Sequence, residues 1–286
     1  MKALRILSPG MYTTVQDGGR IGYTQIGIPR SGFLDSKAAA LTNLLLQKNS
    51  TEALLEMIGV GVRFEALTEL QFVVQGAECK IKVNGEMTPQ GLLCTALKGS
   101  IIEIGEFVKG RVAYIGFSGS FNVKKVLDSF STLSTIGKGG FKGRQLKKND
   151  VLELIELIKI EETGITNSTY YMPNSKPIIR VHKGPEFNRM LKLDIIKSKF
   201  SVSNNSNRMA ILLDGNAVEL QKDEHFGSKP LWPGMIQCTP SGSLVVMHKD
   251  GPTTGGYPRV LYVPQKSLIA LSQIAAGHSF NFKLVS

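Results

Sequence analysis

Short apolar and β-branched runs alternate with polar turns along most of the chain. Eight of these runs have the length and composition of β-strands, at residues 70–74, 79–83, 111–117, 151–158, 177–181, 243–247, 259–263 and 279–283. Asn84 and Gly85 follow the second run and predict a tight hairpin turn, because both residues accept a positive φ. With 30 glycines and 12 prolines to form turns, the pattern favours a mainly β protein built of barrels or sandwiches.

One helix is expected to interrupt the strands near the N-terminus. Asp35 or Ser36 is a suitable cap, and the helix should end in the polar residues 47–50. The apolar side chains that recur at helical spacing are expected to form its buried face, and these are Leu34, Ala38, Leu41 and Leu45.

Length and polarity predict the domain organisation. The chain has 286 residues, of which 42% are hydrophobic, so it can form more than one sizeable core. Residues 161–176 are polar and precede a proline, which is typical of a linker. We therefore predict two domains, at residues 1–165 and 177–286.

Neither a membrane span nor a signal peptide is expected from the sequence. The longest uncharged apolar stretch, residues 268–276, is far shorter than the roughly 20 residues that a spanning helix needs. Residues 1–9 carry charges within their apolar run, unlike a secretory signal. Three cysteines without CxxC spacing and four separated histidines predict neither a disulfide framework nor a local metal site. These features favour a cytoplasmic protein.

The chain is basic, with a formal net charge of +11. Its basic residues are dispersed, and no zinc finger, RNP-like motif or basic helix accompanies them. The one local cluster interleaves five lysines and arginines with four glycines between residues 137 and 148. This pattern favours a small anionic ligand over nucleic acid.

Common nucleotide and hydrolase motifs are missing, including the P-loop, the Rossmann glycines, the nucleophile elbow and HExxH. Two glycine-rich segments of the first half are candidate sites instead. Residues 13–35 contain Asp17 and Arg20, which suit either ligand binding or a structural ion pair. Residues 129–144 mix glycines with Lys and Arg, as in an anion-binding loop or a solvated basic loop.

Two further candidates lie in the second half. Residues 205–209 form a polar turn in which Arg208 could fork onto a carboxylate or phosphate, although a structural salt bridge is the more common outcome. Residues 248–258 place a carboxylate, two hydroxyls, two glycines and an aromatic between apolar strands. Asp250 is a candidate general base there, and the threonines are candidate donors to an oxyanion or phosphate.

Seven short motifs occur in a fixed order: TVQDGGRIGY at 14–23, PRSGFLD at 29–35, LE at 55–56, GGFKGR at 139–144, NRM at 207–209, GMIQ at 234–237 and TTGGYP at 253–258. In this order they resemble the allophanate hydrolase subunit 2 / KipA family, whose domain is also similar to the carboxyltransferase part of urea carboxylase. The resemblance extends over nearly the whole chain. It implies two cyclophilin-like β-barrel domains with a few short helices.

The resemblance also implies a function within a hetero-oligomer. We expect the C subunit of an ATP-dependent 5-oxoprolinase, which converts 5-oxoproline, ATP and water into glutamate, ADP and phosphate. The expected partners are a KipI-like protein as the B subunit and a PxpA-like protein as the A subunit. ATP and Mg²⁺ are expected at the interface between this chain and the KipI-like partner. The chain has no biotin-attachment motif, and by itself it is expected to be inactive.

The matched motifs nominate the site residues. The catalytic candidates are Arg208, Asp250, Thr253 and Thr254. Substrate or nucleotide contacts are expected from Gln16, Asp17, Arg20, Ser31, Asp35, Gly139, Gly140, Lys142, Arg144, Gln237, Gly255, Gly256 and Tyr257. In this scheme the 139–144 loop holds phosphate, and Arg208 holds a carboxylate of the substrate.

Two alternatives remain open. One is a carboxyltransferase-type subunit that processes urea or allophanate amides with a biotinylated partner. The other is a KipA-like regulator that binds a KipI-like kinase inhibitor without catalysis. The family usually has arginines where Phe130 and Leu212 stand here, and aspartate in place of Asn207. The two lost arginines slightly favour the regulator.

Overall fold

The computed structural model describes residues 1–161, 177–190, 195, 198–221 and 227–285. These residues form two compact units. The first contains residues 1–20 and 31–161, and the second contains residues 21–30 and 177–285. Apart from Glu161, the expected linker at 161–176 lies outside the described residues, so the domain limits stay a prediction. Residues 21–30 group with the second unit, an assignment that the sequence did not suggest.

A ten-stranded antiparallel sheet forms the first unit within the described residues. Its strands are β1 (Lys2–Ser8), β2 (Tyr12–Gln16), β3 (Leu54–Ile58), β4 (Arg63–Ala66), β5 (Leu70–Val83), β6 (Glu86–Thr88), β7 (Cys94–Ala96), β8 (Ile101–Phe117), β9 (Ser120–Phe121) and β10 (Val151–Ile155). The order is β2-β3-β8-β4-β1-β10-β9, and β5 pairs with β6, β7 and β8. The curved sheet is a half-barrel that encloses the larger apolar core.

The longest strands correct the sequence-based element limits. The runs predicted at 70–74 and 79–83 are one strand, β5, because register shifts between residues 76 and 81 absorb the irregularity while pairing with β8 continues. The hairpin predicted at Asn84-Gly85 is confirmed, with φ values of 52° and 89° between β5 and β6. The run predicted at 151–158 ends as a strand at Ile155.

Helix α1 (Ser36–Leu45) begins where the sequence predicted. The Asp35 carboxylate accepts hydrogen bonds from the N–H groups of Lys37 and Ala38, at 3.1 and 3.0 Å. The predicted buried face is confirmed for Leu34 and Ala38 but not for Leu41 and Leu45, which are only half-buried. The buried residues of the helix itself are Ala38, Ala39, Thr42 and Asn43. Polar residues can occupy this face because their side chains bond to backbone carbonyls.

A closed barrel forms the second unit. Its strands, in spatial order, are β11 (Ile178–Lys183), β18 (Arg259–Tyr262), β15 (Met235–Cys238), β16 (Leu244–Met247), β13 (Ala210–Asp214), β12 (Lys199–Val202) and β19 (Ser279–Leu284). Only the pairing of β11 with β19 is parallel among these described strands. A two-stranded ribbon joins β14 (Lys229–Pro230) to β17 (Thr254–Gly255). The mainly β class predicted from the sequence is confirmed.

Helix α2 (Gln265–Ser272) was missed by the sequence analysis. It follows Pro264, which provides no side-chain cap, and it places Leu268 and Leu271 in the core of the barrel. Three short 3-10 turns complete the described elements, at Thr24–Ile26, Ser134–Ile136 and Phe187–Arg189. Within the described ranges, no helix has the length and apolar character needed to cross a membrane.

Candidate functional site

Asp17 is the centre of a buried polar cluster in the first unit. Its Oδ1 accepts hydrogen bonds from Gly19 N at 2.8 Å, Ser129 Oγ at 2.6 Å and Ser131 Oγ at 2.5 Å. Its Oδ2 accepts from Phe130 N at 2.6 Å. The side chain is 7% exposed, so these donors replace the water that a carboxylate otherwise needs. The carboxylate therefore joins the end of β2 to the 129–131 segment.

Gln16 and Arg20 hold the same segment through its carbonyl groups. Gln16 Nε2 donates to Thr132 O at 3.2 Å, and Arg20 Nη2 donates to Ser131 O. Both side chains are buried. The sequence suggested that Asp17 and Arg20 could orient one another, and in the structure both bind Ser131.

Two fully buried side chains that were not proposed as site residues hold the 31–35 segment. Glu56 Oε2 accepts hydrogen bonds from Leu34 N at 2.8 Å and from Tyr114 Oη at 2.7 Å. Tyr114 Oη in turn accepts from Asp35 N at 2.8 Å. Burial raises the pKa of Tyr114, and the Glu56 carboxylate raises it further, so the phenol keeps its proton and donates. Glu56 could have been recognised from the sequence, because it is the one charged residue in the apolar run of β3.

Ser31 and Gly32 lie against the Asp17 turn. Ser31 is buried with φ of 56°, and Phe33 N donates to Asp17 O at 3.1 Å. A Cβ on Gly32 would lie 2.9 Å from Gly19 N, so the two glycine-containing turns are in direct contact. The structure thus brings together the candidates Gln16, Asp17, Arg20, Ser31 and Asp35.

Gly139 and Gly140 of the 137–143 loop are needed for close packing against this cluster. A Cβ on Gly139 would collide with Ser131 O and lie 2.5 Å from Arg20 Nη2. A Cβ on Gly140 would collide with Thr132 Oγ1. Both glycines also have positive φ, which side chains disfavour.

Gly140→Ala is expected to destabilise the chain by about 2 kcal/mol more than Gly137→Ala, because it adds overpacking to backbone strain. Gly137 is the matched control, since its φ of 63° is similar and an added Cβ meets nothing within 4 Å. Urea denaturation of both variants measures the difference. Equal destabilisation would contradict the packing of this loop against Thr132.

Arg144 and Lys142 do not join the Asp17 cluster. The Arg144 guanidinium forms two hydrogen bonds with the Asp150 carboxylate, at 2.7 and 2.8 Å. Burial would raise the pKa of Asp150, but hydrogen bonds from Arg144 and from Lys147 N hold it below its ordinary value. Lys142 is exposed, with Nζ 5.1 Å from the Phe141 ring centre. The binding roles suggested for Arg144 and Lys142 stay predictions.

In the second unit, Arg208 and Asp250 form a buried ion pair. Nε lies 2.8 Å from Oδ2 and Nη2 lies 3.0 Å from Oδ1, and the residues are 4% and 6% exposed. Asp250 N also donates to Arg208 O at 2.9 Å. The carboxylate that Arg208 holds in this structure is therefore one of the chain's own, as the structural alternative predicted.

The other second-unit candidates lie around β17. Gln237 Nε2 donates to Tyr257 O at 3.0 Å, and Thr253 O accepts from Leu231 N at 2.8 Å. A Cβ on Gly255 would lie 2.6 Å from Leu231 Cδ1. Thr254 and Gly255 form β17, and Gly256 follows it. The Tyr257 side chain is exposed and the Gln237 side chain is buried.

Glu186 is the centre of a charged cluster that the sequence analysis missed. Its carboxylate accepts from Arg259 N and Nε at 2.9 and 3.0 Å, from Arg259 Nη2 at 2.9 Å and from Lys229 Nζ at 3.1 Å. Hydrogen bonds from Arg259 lower the pKa of Glu186 to about 2. The cluster ties β18 to the β14–β17 ribbon.

Acidification is expected to remove the stabilisation that Glu186 provides. The pKa of its carboxylate is about 2 in the folded chain against an ordinary 4.5, so the contribution is complete above the ordinary value and lost as pH falls toward the folded value. The difference in unfolding free energy between the wild type and Glu186→Gln should therefore shrink between about pH 5 and about pH 2. Denaturation at several pH values measures it, and a pH-independent difference would argue against the depressed pKa.

Metal-binding and thiol chemistry receive no support from the described residues. They contain no group of three or more His, Cys, Asp or Glu side chains arranged to hold a metal. The three cysteines are free, and burial raises the pKa of Cys79 to about 12 and that of Cys94 and Cys238 to about 11. Such thiols are poor nucleophiles at neutral pH.

The chain belongs to the carboxyltransferase domain family, because residues 26–284 match the model for the carboxyltransferase domain, subdomain A and B. It is 31% identical over 284 residues to the C subunit of 5-oxoprolinase from Escherichia coli, in a match that covers 98% of this chain and 90% of the relative. It is 27% identical to urea amidolyase of Saccharomyces cerevisiae over 98% of this chain but only 16% of that protein.

Solved structures agree with the family assignment. The structure of Kluyveromyces lactis urea carboxylase superposes with a TM-score of 0.89 at 27% identity. The match covers 100% of this chain and 28% of the yeast chain. The whole of the present chain therefore corresponds to about a quarter of that longer enzyme.

Proposed function

We propose that this chain is the C subunit of an ATP-dependent 5-oxoprolinase. The observation that carries the proposal is the similarity to the corresponding Escherichia coli protein over 98% of this chain and 90% of that relative. Because the match spans nearly the full length of both proteins, it supports the same role for this chain as for that C subunit. The urea amidolyase match covers only 16% of the relative, so most of that enzyme has no counterpart here.

The proposed reaction uses ATP to activate an unreactive amide. Transfer of the γ-phosphoryl group to the lactam oxygen of 5-oxoproline releases ADP. A first water adds to the carbonyl carbon, and the carbon–nitrogen bond breaks as the nitrogen takes a proton, which leaves an acyl phosphate. A second water hydrolyses this acyl phosphate, so that the carboxylate forms and phosphate leaves. The products are glutamate, ADP and phosphate. Phosphorylation neutralises the developing charge on an oxygen that is otherwise a poor leaving group.

Within this proposal, the Arg208–Asp250 pair is a positioning element. Arg208 lies just before β13 and Asp250 lies just after β16, so the pair holds the turns at these two strand ends together. The loop that carries Thr253 and Thr254 begins directly after Asp250. We propose the two threonine hydroxyls as donors to the reacting oxygen or to phosphate. In the first unit, the Asp17 cluster would keep the glycine-rich loops in fixed positions.

The proposed partners are a KipI-like protein and a PxpA-like protein in the cytoplasm, and the chain alone would be inactive. ATP and Mg²⁺ would bind at the interface with the KipI-like partner, with Mg²⁺ held in part by the phosphates of ATP. No biotin would be attached to this chain. The urea amidolyase similarity makes a carboxyltransferase-type subunit the second candidate.

The test is ATP-dependent glutamate release from 5-oxoproline by this chain mixed with its cognate KipI-like and PxpA-like partners. Each of the three proteins is left out in turn, and glutamate should form only in the complete mixture. An assembled complex that releases no glutamate would contradict the proposal. Dependence on a biotinylated protein would then support the carboxyltransferase candidate, and partner binding without turnover would support a regulator.

A further inference from the structure

A shallow, solvent-open cavity lies on the surface of the first unit, between the 137–143 loop and residues 122–126. Its volume is about 370 Å³, within the range of small-molecule sites. The lining residues come from these two segments, 122–126 and 137–143. Since all of them lie in the first unit, the cavity is complete without the second unit.

The charge of the lining is of one sign. Lys124, Lys138 and Lys142 line the cavity, and no aspartate or glutamate does. Arg144, which the sequence placed in the same loop as a phosphate ligand, is bound to Asp150 and is absent from the lining. Of the pair expected from the sequence, Lys142 therefore lines the cavity and Arg144 does not, while Lys124 and Lys138 are additional lining lysines.

The backbone of the loop offers further donors. Gly139, Gly140, Lys142 and Gly143 all have positive φ, between 53° and 71°, and such turns present successive N–H groups on one concave side. Gly140 N and Gly143 N donate to Phe130 O and Gly139 O. Within the described part of the chain, Phe141 N and Lys142 N donate to no protein acceptor. Lys142 adopts its φ of 58° although it is not glycine, a strain typical of functional loops.

We propose that this cavity binds the polyphosphate chain of a nucleotide, held by Lys124, Lys138 and Lys142 and by the N–H groups of Phe141 and Lys142. Three ammonium groups and two amide donors suit an extended, multiply charged anion better than a single carboxylate. The identification of this polyphosphate with the phosphates of ATP rests on the proposed function. The binding of polyphosphate by this chain does not depend on the proposed function.

The test measures binding of inorganic tripolyphosphate to the full chain by isothermal titration calorimetry at two ionic strengths. Lys138→Gln/Lys142→Gln is expected to weaken binding by about tenfold or more, because two charge-assisted contacts are lost. Lys147→Gln/Lys148→Gln is the matched control: it removes the same charge from exposed lysines outside the lining, and should weaken binding by less than about twofold.

Several results would overturn the proposal. These are no binding by the wild type, wild-type affinity in Lys138→Gln/Lys142→Gln, or an equal loss in both double variants, which would indicate diffuse attraction. Loss of binding to the KipI-like partner with unchanged tripolyphosphate affinity would assign the lysines to a protein contact instead. Tripolyphosphate binding that needs Lys138 and Lys142, in a chain whose complete mixture releases no glutamate, would keep this site and refute only the oxoprolinase function.

Discussion

Asp17→Asn is expected to lower the free energy of unfolding by about 3 kcal/mol, because a buried carboxylate that accepts several hydrogen bonds is replaced by a group that also donates. Whichever oxygen becomes the amide nitrogen, it faces a donor: Phe130 N on one side, or Gly19 N and two serine hydroxyls on the other. The 129–132 segment should detach from the end of β2, and the glycine loop packed on it should loosen. Urea denaturation measures the loss.

Asp214→Asn is the control for this change. Asp214 is exposed at the end of β13, so the same substitution there should change the stability by less than about 0.5 kcal/mol. In the complete enzyme mixture, Asp17→Asn should also reduce glutamate release at temperatures where the variant remains folded. Wild-type stability of Asp17→Asn would show that the carboxylate is not the organising group of the cluster.

Asp250→Ala is expected to cost about 3–5 kcal/mol, because it leaves the buried Arg208 guanidinium without its carboxylate. The Arg208→Met/Asp250→Leu double variant removes both charges and should recover much of this loss. Denaturation of Arg208→Met, Asp250→Leu and their double variant, together with the wild type, forms a thermodynamic cycle that isolates the interaction between the residues.

The same cycle separates two roles of Asp250. If Asp250 only positions the loop, glutamate release should fall in step with stability and return partly in the double variant. If Asp250 acts as a general base, activity should vanish in every variant that lacks it, including those that are fully stable. Additive effects of the two single substitutions on stability would contradict the ion pair.

The sequence predicted the elements best where local chemistry determines them. The Asp35 cap and the Asn84-Gly85 turn are properties of a few adjacent residues, and both were predicted correctly. Helix α2 was missed because its first turn follows Pro264 without a capping side chain. The continuity of β5 was missed because pairing with β8 persists through an irregular register, which no local pattern encodes.

Several of the candidate residues lie together in the structure, but the sequence did not predict their contacts. Asp17 and Arg20 were singled out from a glycine-rich turn, yet most of their described side-chain hydrogen bonds join them to residues 129–131, more than 100 positions away. Phe130 stands where the family usually has arginine. It donates a hydrogen bond to Asp17 through its backbone N–H, and this bond does not depend on the Phe130 side chain. Glu186 and Arg259 are 73 residues apart, so only the folded barrel brings them together.

The family departure at Leu212 also has a local explanation. Leu212 lies on β13 opposite Val245 of β16, and both side chains are half-buried on the same side of the barrel wall. An apolar residue is therefore compatible with its neighbours.

The most direct test of the proposed function compares two substrates in the complete mixture of this chain with its KipI-like and PxpA-like partners. ADP and glutamate are measured together with 5-oxoproline as the substrate. ADP alone is measured with urea and bicarbonate after a biotinylated biotin carboxylase is added, because the carboxyltransferase alternative requires a biotinylated partner, and the background is the ADP formed without urea. We predict equal amounts of ADP and glutamate from 5-oxoproline and no ADP above background from urea. ADP formed with urea and bicarbonate, without glutamate from 5-oxoproline, would contradict the oxoprolinase function and favour carboxyl transfer.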